Sequence, residues 1–371
     1  MKVLFAIDSL QQGGAEQSIA HLIRYFSNST EVSLLYFYPK ADLLPLYNEL
    51  GCQIFSLNLQ GKYDWIKGIS GMKKVLQEVQ PDIVVTSLYR SNIISRIACM
   101  QLGIKLVGTF VDDSYNIERK RTFRGLGQIK YHGTWFLDRI TAFIPNLWIS
   151  NSEYIGASNS KHLGIPSSKI KTIYRGRNSL DFKPWEVPAS EHFIFITIGR
   201  LYEKKGFSEL IEAFSKLEAN NPNIKLLLYG EGSGRAQFEN QIAELQLNDK
   251  IILMGNVPRA WEKMYEAHCF VFPSRFEGFS GALVEAMMTG IPIISSDIPM
   301  NLEAVENNKT ALVHKLKDAQ DLAVKMQQMM DNYDDMIAMG KRARLTAIEK
   351  FDIKNIAQQY EKLLATTINK N

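Results

Sequence analysis

Short runs of consecutive apolar residues alternate along this chain with longer stretches in which apolar positions recur every three or four residues. Runs of the first kind read as strands buried on both faces, and stretches of the second kind as helices that cover them. In the first half the strand-like runs are 3–7, 32–38, 53–57, 83–86, 105–111, 147–150 and 170–174. Helical spacing covers 18–26, 43–50, 65–79, 92–102 and 152–163, the last stopped by Gly164. The rhythm breaks after Asp112-Asp113 and resumes at residue 147.

Residues 181–190 carry two prolines and no period, which predicts a linker. A second alternating series follows. Its strand-like runs are 193–198, 224–229, 251–254, 269–272 and 291–294, and its helical stretches are 207–218, 235–245, 260–267 and 283–289. Three more helical stretches, 318–330, 336–351 and 353–367, close the chain. Each series predicts a parallel sheet covered on both faces. Together they predict an α/β protein with two Rossmann-like αβα domains facing each other across a cleft. The expected divisions are 1–180, 181–352 and 353–371, the last a helix crossing back to the first domain.

Composition narrows the partners more than the fold. The 371 residues are 46% hydrophobic and 22% charged, enough for two cores. A net charge of +4 is too small to point to nucleic acid, and none is expected as a partner. Cys52, Cys99 and Cys269 lie far apart, with no disulfide or zinc spacing, so a reducing compartment is expected. None of the six histidines forms an i, i+4 pair, and no metal site is expected. Only five apolar residues follow Met1-Lys2, too few for a signal peptide, and no run approaches the ~18 needed to span a bilayer. The expected location is cytoplasmic, with peripheral contact on the inner face of the cytoplasmic membrane.

The densest candidate chemistry lies at 275–295. Glu277 and Glu285 are separated by seven residues, with a small-residue loop from Gly278 to Ala282 between them. The order strand, loop, helix, strand puts that loop at a helix N-terminus, where unpaired N–H groups and the dipole favour an anion. A nucleotide-sugar matches this layout: phosphates on the loop and one sugar at each carboxylate. Arg200 and Lys205 follow the first strand of the second series on a glycine-flanked loop. They are suited to clamp two phosphates and to stabilise charge on a departing diphosphate; solvated surface cations are the competing reading. Glu231, between two glycines, and Gly255-Asn256-Val257 end two more strands. Near the N-terminus, Gly13-Gly14 stands between a strand and a helix, as an anion cradle or a plain turn.

Four motifs occur in order: Gly-Gly-Ala-Glu at 13–16, Gly-Arg-Leu-x3-Lys-Gly at 199–206, Gly-x-Gly at 230–232 and Glu-Gly-Phe-x5-Glu-Ala-Met at 277–287. The set resembles the retaining GT-B glycosyltransferases of family 4, the glycogen-synthase-like group. The resemblance spans essentially the whole chain and is strongest from Gly199 to Asp297. It implies that Glu277 hydrogen-bonds the donor hexose, and that Ser280, Gly281 and Ala282 offer backbone N–H groups to hexose and diphosphate. Phe279 and Leu283 belong to the same donor-binding stretch. Glu285 would bind the ribose hydroxyls, Arg200 and Lys205 the phosphates, and Val257 the base through its backbone. Glu231 completes the donor set, and Gly14 would close over the phosphates from the first domain. No metal or other cofactor is implied.

Two departures from the family pattern concern the first domain and the junction. Relatives often carry a histidine where this chain has Val111. Asp112 is the favoured replacement for positioning the acceptor, with Asp113 beside it, although such an Asp is often a helix cap. Together with Glu277, Arg200 and Lys205 it makes the expected catalytic set. Relatives also often show Asn-Gly-Val-Asp where this chain has Arg175 and Arg177 within 174–181. Separately, residues 118–130 hold five basic residues and one acid, with aromatics following at once. Arg119, Lys120, Arg121, Arg124, Lys130 and Trp135 are therefore candidates for contact with anionic lipid or a lipid-linked acceptor. A solvated face beside a helix that buries its aromatics is the competing reading.

With the resemblance, the expected reaction moves a hexose-type sugar from a UDP- or GDP-sugar to a hydroxyl of a glycan, lipid-linked, with retained configuration. The setting would be bacterial surface polysaccharide assembly: O-antigen, capsule or exopolysaccharide. A nucleotide-sugar 2-epimerase-like enzyme and a non-catalytic nucleotide-sugar-binding protein stay as alternatives. A dinucleotide oxidoreductase is not supported, because neither half pairs G-x-G-x-x-G with an acid ~20 residues on.

Overall fold

The structure is a computed structural model that describes residues 1–61, 64–116, 120 and 123–370. It divides into two units, Met1–Gly176 with Ile353–Asn371, and Arg177–Asp352. The first unit is built on β1 (Lys2–Ile7), β2 (Glu31–Tyr36), β3 (Gln53–Ser56), β4 (Ile83–Ser87), β5 (Leu106–Phe110), β6 (Leu147–Ser150) and β7 (Ile170–Thr172). Their order across the sheet is β3-β2-β1-β4-β5-β6-β7, all parallel. The helices of this unit include α1 (Gly14–Ile23), α2 (Leu44–Glu49), α3 (Trp65–Val79), α4 (Tyr89–Leu102), α5 (Leu126–Thr141), α6 (Glu153–Leu163) and, from the far end of the chain, α13 (Ile353–Asn369).

Alternate residues of β1 enter opposite layers, which is why the whole strand is apolar. Val3, Phe5 and Ile7 pack in one core with Ile19 of α1 and with Ile356, Ala357 and Tyr360 of α13. Leu4 and Ala6 pack in the other with Met72 and Leu76 of α3 and Ala98 of α4.

The second unit repeats the plan with β8 (Phe193–Ile198), β9 (Ile224–Tyr229), β10 (Ile251–Gly255), β11 (Cys269–Phe272), β12 (Ile293–Ser296) and β13 (Leu312–His314). The order is β10-β9-β8-β11-β12-β13, again all parallel. Its helices are α7 (Phe207–Glu218), α8 (Arg235–Glu244), α9 (Gly281–Thr289), α10 (Pro299–Leu302), α11 (Ala319–Asp331) and α12 (Tyr333–Phe351). Leu210 and Phe214 of α7 and Leu322 and Met326 of α11 share one core with Phe195 of β8. In both sheets the winding reverses at the middle, between β1 and β4 and between β8 and β11. Loops leaving a reversal point in opposite directions open a crevice at the strand C-ends.

Three local expectations differ from the structure. Residues 182–190, after a 3-10 helix over Ser179–Asp181, form no strand or helix but are not a slack linker. Trp185 is buried, its indole N–H donating to the Ala267 carbonyl at 3.0 Å, and Phe182 meets the Trp261 ring at 4.4 Å. Two buried aromatics hold the stretch against the second unit, and the chain changes units at 176/177 and 352/353. The helical stretch at 260–267 is a 3-10 helix, Ala260–Glu266. Strand β13 had no counterpart in the apolar pattern, because three residues are too few to show a period. Among the described residues, no helix is long and apolar enough to cross a membrane.

Candidate functional site

The loops after β8 and β11 flank the reversal point of the second sheet, and their backbones touch. Gly206 has φ +71°, and a Cβ there would fall 2.0 Å from the Pro273 carbonyl oxygen. Only glycine allows this approach in this conformation. The Arg275 N–H donates to the Lys204 carbonyl at 2.9 Å, and its guanidinium joins Glu203 at 2.9 Å and Glu209 at 2.6 Å. The two loops are thereby stitched together one residue from Lys205. The result is an ion pair between the Lys205 ammonium and the Glu277 carboxylate, each side chain only 13% exposed. Lys205 also lies over the Phe272 ring at 5.9 Å.

Burial alone would push the Glu277 carboxyl up. The Lys205 charge and hydrogen bond, a hydrogen bond from Ser274 and the Lys204 charge outweigh it, so Glu277 is held below the usual carboxylate value. It is therefore an anion in neutral solution, able to accept hydrogen bonds from hydroxyls.

Three residues on, Ser280 stands just before α9 as its N-cap and makes no side-chain hydrogen bond to the helix. The N–H groups of Gly281, Ala282 and Leu283 stand in its first turn, where the helix dipole favours an anion. Phe279 is buried with its ring edge-on to Phe351 at 5.3 Å, which anchors the loop from below. One turn along α9, Glu285 accepts from the Arg177 Nε at 2.7 Å, both side chains largely buried. Both carboxylates of the motif thus carry a cation. The pattern alone showed Arg177 as charge without a partner; Glu285, 108 residues away, is that partner.

The remaining donor candidates are more loosely held. Arg200 is exposed, with its guanidinium 5.2 Å from the Tyr202 ring centre and no ion pair among the described residues. Glu231 is exposed and paired with Arg235 at 2.6 Å, an i, i+4 contact that the glycines around it obscured. Val257 is half-buried just after β10.

In the first unit the glycine signal has a different outcome. The Glu16 carboxylate, almost fully buried, folds back so closely on Gly13 that a Cβ there would collide with it. The α1 N-terminus is faced by the chain's own acid, and the Arg175 guanidinium lies 3.4 Å from where a Gly14 side chain would begin. Asp112 is half-buried and accepts from the Ser114 hydroxyl at 2.5 Å. Its neighbour Asp113 is the more deeply buried of the two, and burial pushes its carboxyl up. Val111 lines a cavity of about 90 Å³ at the strand C-ends together with Ser87, Thr109, Asn151, Tyr174 and Arg175. Sequence reasoning missed this cavity, because its polar residues come singly from the ends of separate strands.

Of the basic stretch, Arg119 and Arg121 lie outside the described residues. Lys120, Arg124 and Lys130 are exposed, while Trp135 is half-buried and donates from its indole N–H to the His162 carbonyl at 3.1 Å.

Comparison with known proteins bears on the fold and the family. The model for "Glycosyltransferase Family 4" matches residues 12–179 and that for "Glycosyl transferases group 1" matches residues 181–346. The chain spans about a quarter of an uncharacterized glycosyltransferase of Methanocaldococcus jannaschii, 35% identical over 29% of this chain and 26% of that protein. It matches end to end an N-acetyl-D-galactosaminyltransferase of Campylobacter jejuni that acts on an undecaprenol-diphosphate-linked glycan, at 22% identity over 100% of this chain and 99% of that one. Among solved structures, Anabaena Alr3699/HepE with UDP-glucose superposes with a TM-score of 0.83, at 19% identity over 99% of this chain and 100% of that one. Two Rossmann-like units, each matched by its own glycosyltransferase model, identify the chain as a GT-B glycosyltransferase of group 1/family 4.

Proposed function

We propose that the protein transfers a hexose-type sugar from a UDP- or GDP-sugar to a hydroxyl of a lipid-linked glycan, with the anomeric configuration retained. The observation that carries this reading is the Lys205–Glu277 pair beside the uncapped N-terminus of α9, at the reversal point of the second sheet. In this reading Glu277 accepts from the hexose hydroxyls. The first-turn N–H groups of α9 and the charges of Lys205 and Arg200 hold the diphosphate. Glu285, kept in place by Arg177, accepts from the ribose hydroxyls, and Val257 meets the base. The bond from the anomeric carbon to the diphosphate oxygen breaks, and a bond to the acceptor oxygen forms on the same face. The acceptor's proton goes to the departing diphosphate, whose developing charge Lys205 and the α9 dipole stabilise. These groups do the work a metal would otherwise do, so chelators should leave the rate unchanged.

The UDP-glucose bound by the Anabaena protein supports the donor class, and the Campylobacter enzyme's substrate supports the lipid-linked acceptor. Such an acceptor places the working protein at a membrane surface. The test is a panel of UDP- and GDP-sugars, with and without an undecaprenol-diphosphate-linked glycan, read by diphosphate release. Acceptor-dependent release from one donor is expected, with the product's anomeric configuration read by NMR. Release without transfer, or no release from any donor, would overturn the reading.

A further inference from the structure

The sequence marks Trp135 and its neighbouring cations as candidates for lipid contact, and in the structure the exposed large apolar side chains of this region are others. Leu126, Ile129, Phe136, Ile140 and Phe143 are exposed at 77%, 69%, 57%, 46% and 68%. With Gly133, their spacing is three, four, three, four and three residues, so they form one continuous stripe along α5 and its first following turn. The stripe is about 25 Å long at ~1.5 Å per residue. Globular proteins seldom leave so many large apolar side chains in one line to water.

The helix is firmly seated from below. Asp138, on its inner side, accepts from Arg96 Nη1 at 2.6 Å and from the Tyr115 hydroxyl at 2.6 Å, and Arg96 also bonds the Thr141 hydroxyl at 2.8 Å. The stripe therefore stands on a rigid element and has no core of its own unit left to bury it.

Charge identifies what covers it. Residues 118–143 hold six cations and two acids, an excess equal to the net +4 of the whole chain. One of the acids, Asp138, is buried and offers no outward negative charge. Lys120, Arg124, Lys130 and Arg139 are exposed around the stripe. A second copy of the same face would set cations against cations, whereas an anionic bilayer satisfies both features: head groups for the cations and acyl chains for the stripe.

We infer that α5 lies flat on an anionic phospholipid surface, with Leu126, Ile129, Phe136, Ile140 and Phe143 immersed between head groups ringed by the exposed cations. This deepens the membrane placement proposed above. It is read without donor or acceptor, so it and the transfer reaction succeed or fail separately.

The test is co-sedimentation of the full chain with vesicles of phosphatidylcholine alone and of phosphatidylcholine mixed with phosphatidylglycerol. Binding to the mixed vesicles is expected, weakened by added salt, with little binding to phosphatidylcholine. Replacing Ile129→Ser, Phe136→Ser and Phe143→Ser together should lower that affinity about tenfold or more. The melting temperature should hold, because none of the three side chains is in a core. Equal binding to both vesicle types, or unchanged binding by the triple variant, would overturn the inference. So would a dimer in solution that the triple variant abolishes, since a second copy would then cover the stripe.

Discussion

The two units share a strand order and differ in where they keep their charge. At the C-terminal edge of the second sheet, cations and carboxylates meet in pairs, Lys205 with Glu277 and Arg177 with Glu285. The corresponding edge of the first sheet carries a small, mainly apolar cavity into which a few polar groups intrude, Arg175 and the Ser87–Thr109 pair, joined at 2.7 Å, among them. An excess of cations lies apart from it, around α5. Even the shared glycine-to-helix signal diverges. The α1 N-terminus is faced by the chain's own Glu16, whereas no side chain caps α9. One architecture thus hosts two surfaces of different chemistry, and the loops rather than the sheet decide which. In the proposed reading the paired edge takes the doubly charged donor.

The comparison can be broken first through stability. Arg96→Ala leaves Asp138 a buried, unpaired charge under α5, and should destabilise the first unit by ~3–5 kcal/mol in a denaturant melt. A loss below ~1 kcal/mol would show that α5 is not held from beneath. In the second unit, Lys205→Ala should lower turnover by ~10²–10³ with the fold intact. A rate near wild type would detach Lys205 from the diphosphate.

The same variant has a signature in pH. Glu277 is held below its ordinary value, so its ionised form contributes stability above the unfolded-state value, and this is lost as the pH falls through the folded-state value. Without Lys205, burial is less opposed and the Glu277 carboxyl should rise. The melting temperature of Lys205→Ala should then fall less than that of wild type on acidification. Parallel acid profiles would mean that the pair is not what holds Glu277 ionised.

Smaller effects separate binding from chemistry. Glu285→Ala should raise the donor KM about tenfold to a hundredfold, the loss of a charge-assisted hydrogen bond worth ~1.5–3 kcal/mol, with kcat little changed. Arg177→Ala should do the same to a lesser degree. A fall in kcat instead would place Glu285 at the reacting carbon. The smallest effect belongs to Glu231→Gln. Its partner Arg235 is a surface i, i+4 cation, so the melting temperature should hardly change.

Continuous apolar runs made most strands legible, and the loops after β8 and β11 could be placed at strand ends from the pattern alone. The signal failed where structure depends on distant residues. Nothing local tells that Arg177 finds Glu285, that Glu16 turns back on Gly13, or that Trp185 pins a proline-rich stretch. The α5 stripe was present in the sequence at heptad spacing. It was hidden because an exposed apolar face and a buried one have the same period, and only packing distinguishes them. The aromatic that looked most membrane-like, Trp135, is the one the structure partly buries.

In the proposed reading the paired edge of the second sheet holds a nucleoside diphosphate. Titrating UDP and GDP into the wild-type chain, Lys205→Ala and Glu285→Ala by calorimetry tests it directly. One diphosphate should bind the wild type with a single site, and both variants should weaken it at least about tenfold. Binding that survives both substitutions unchanged, or no binding of either nucleotide, would contradict the account.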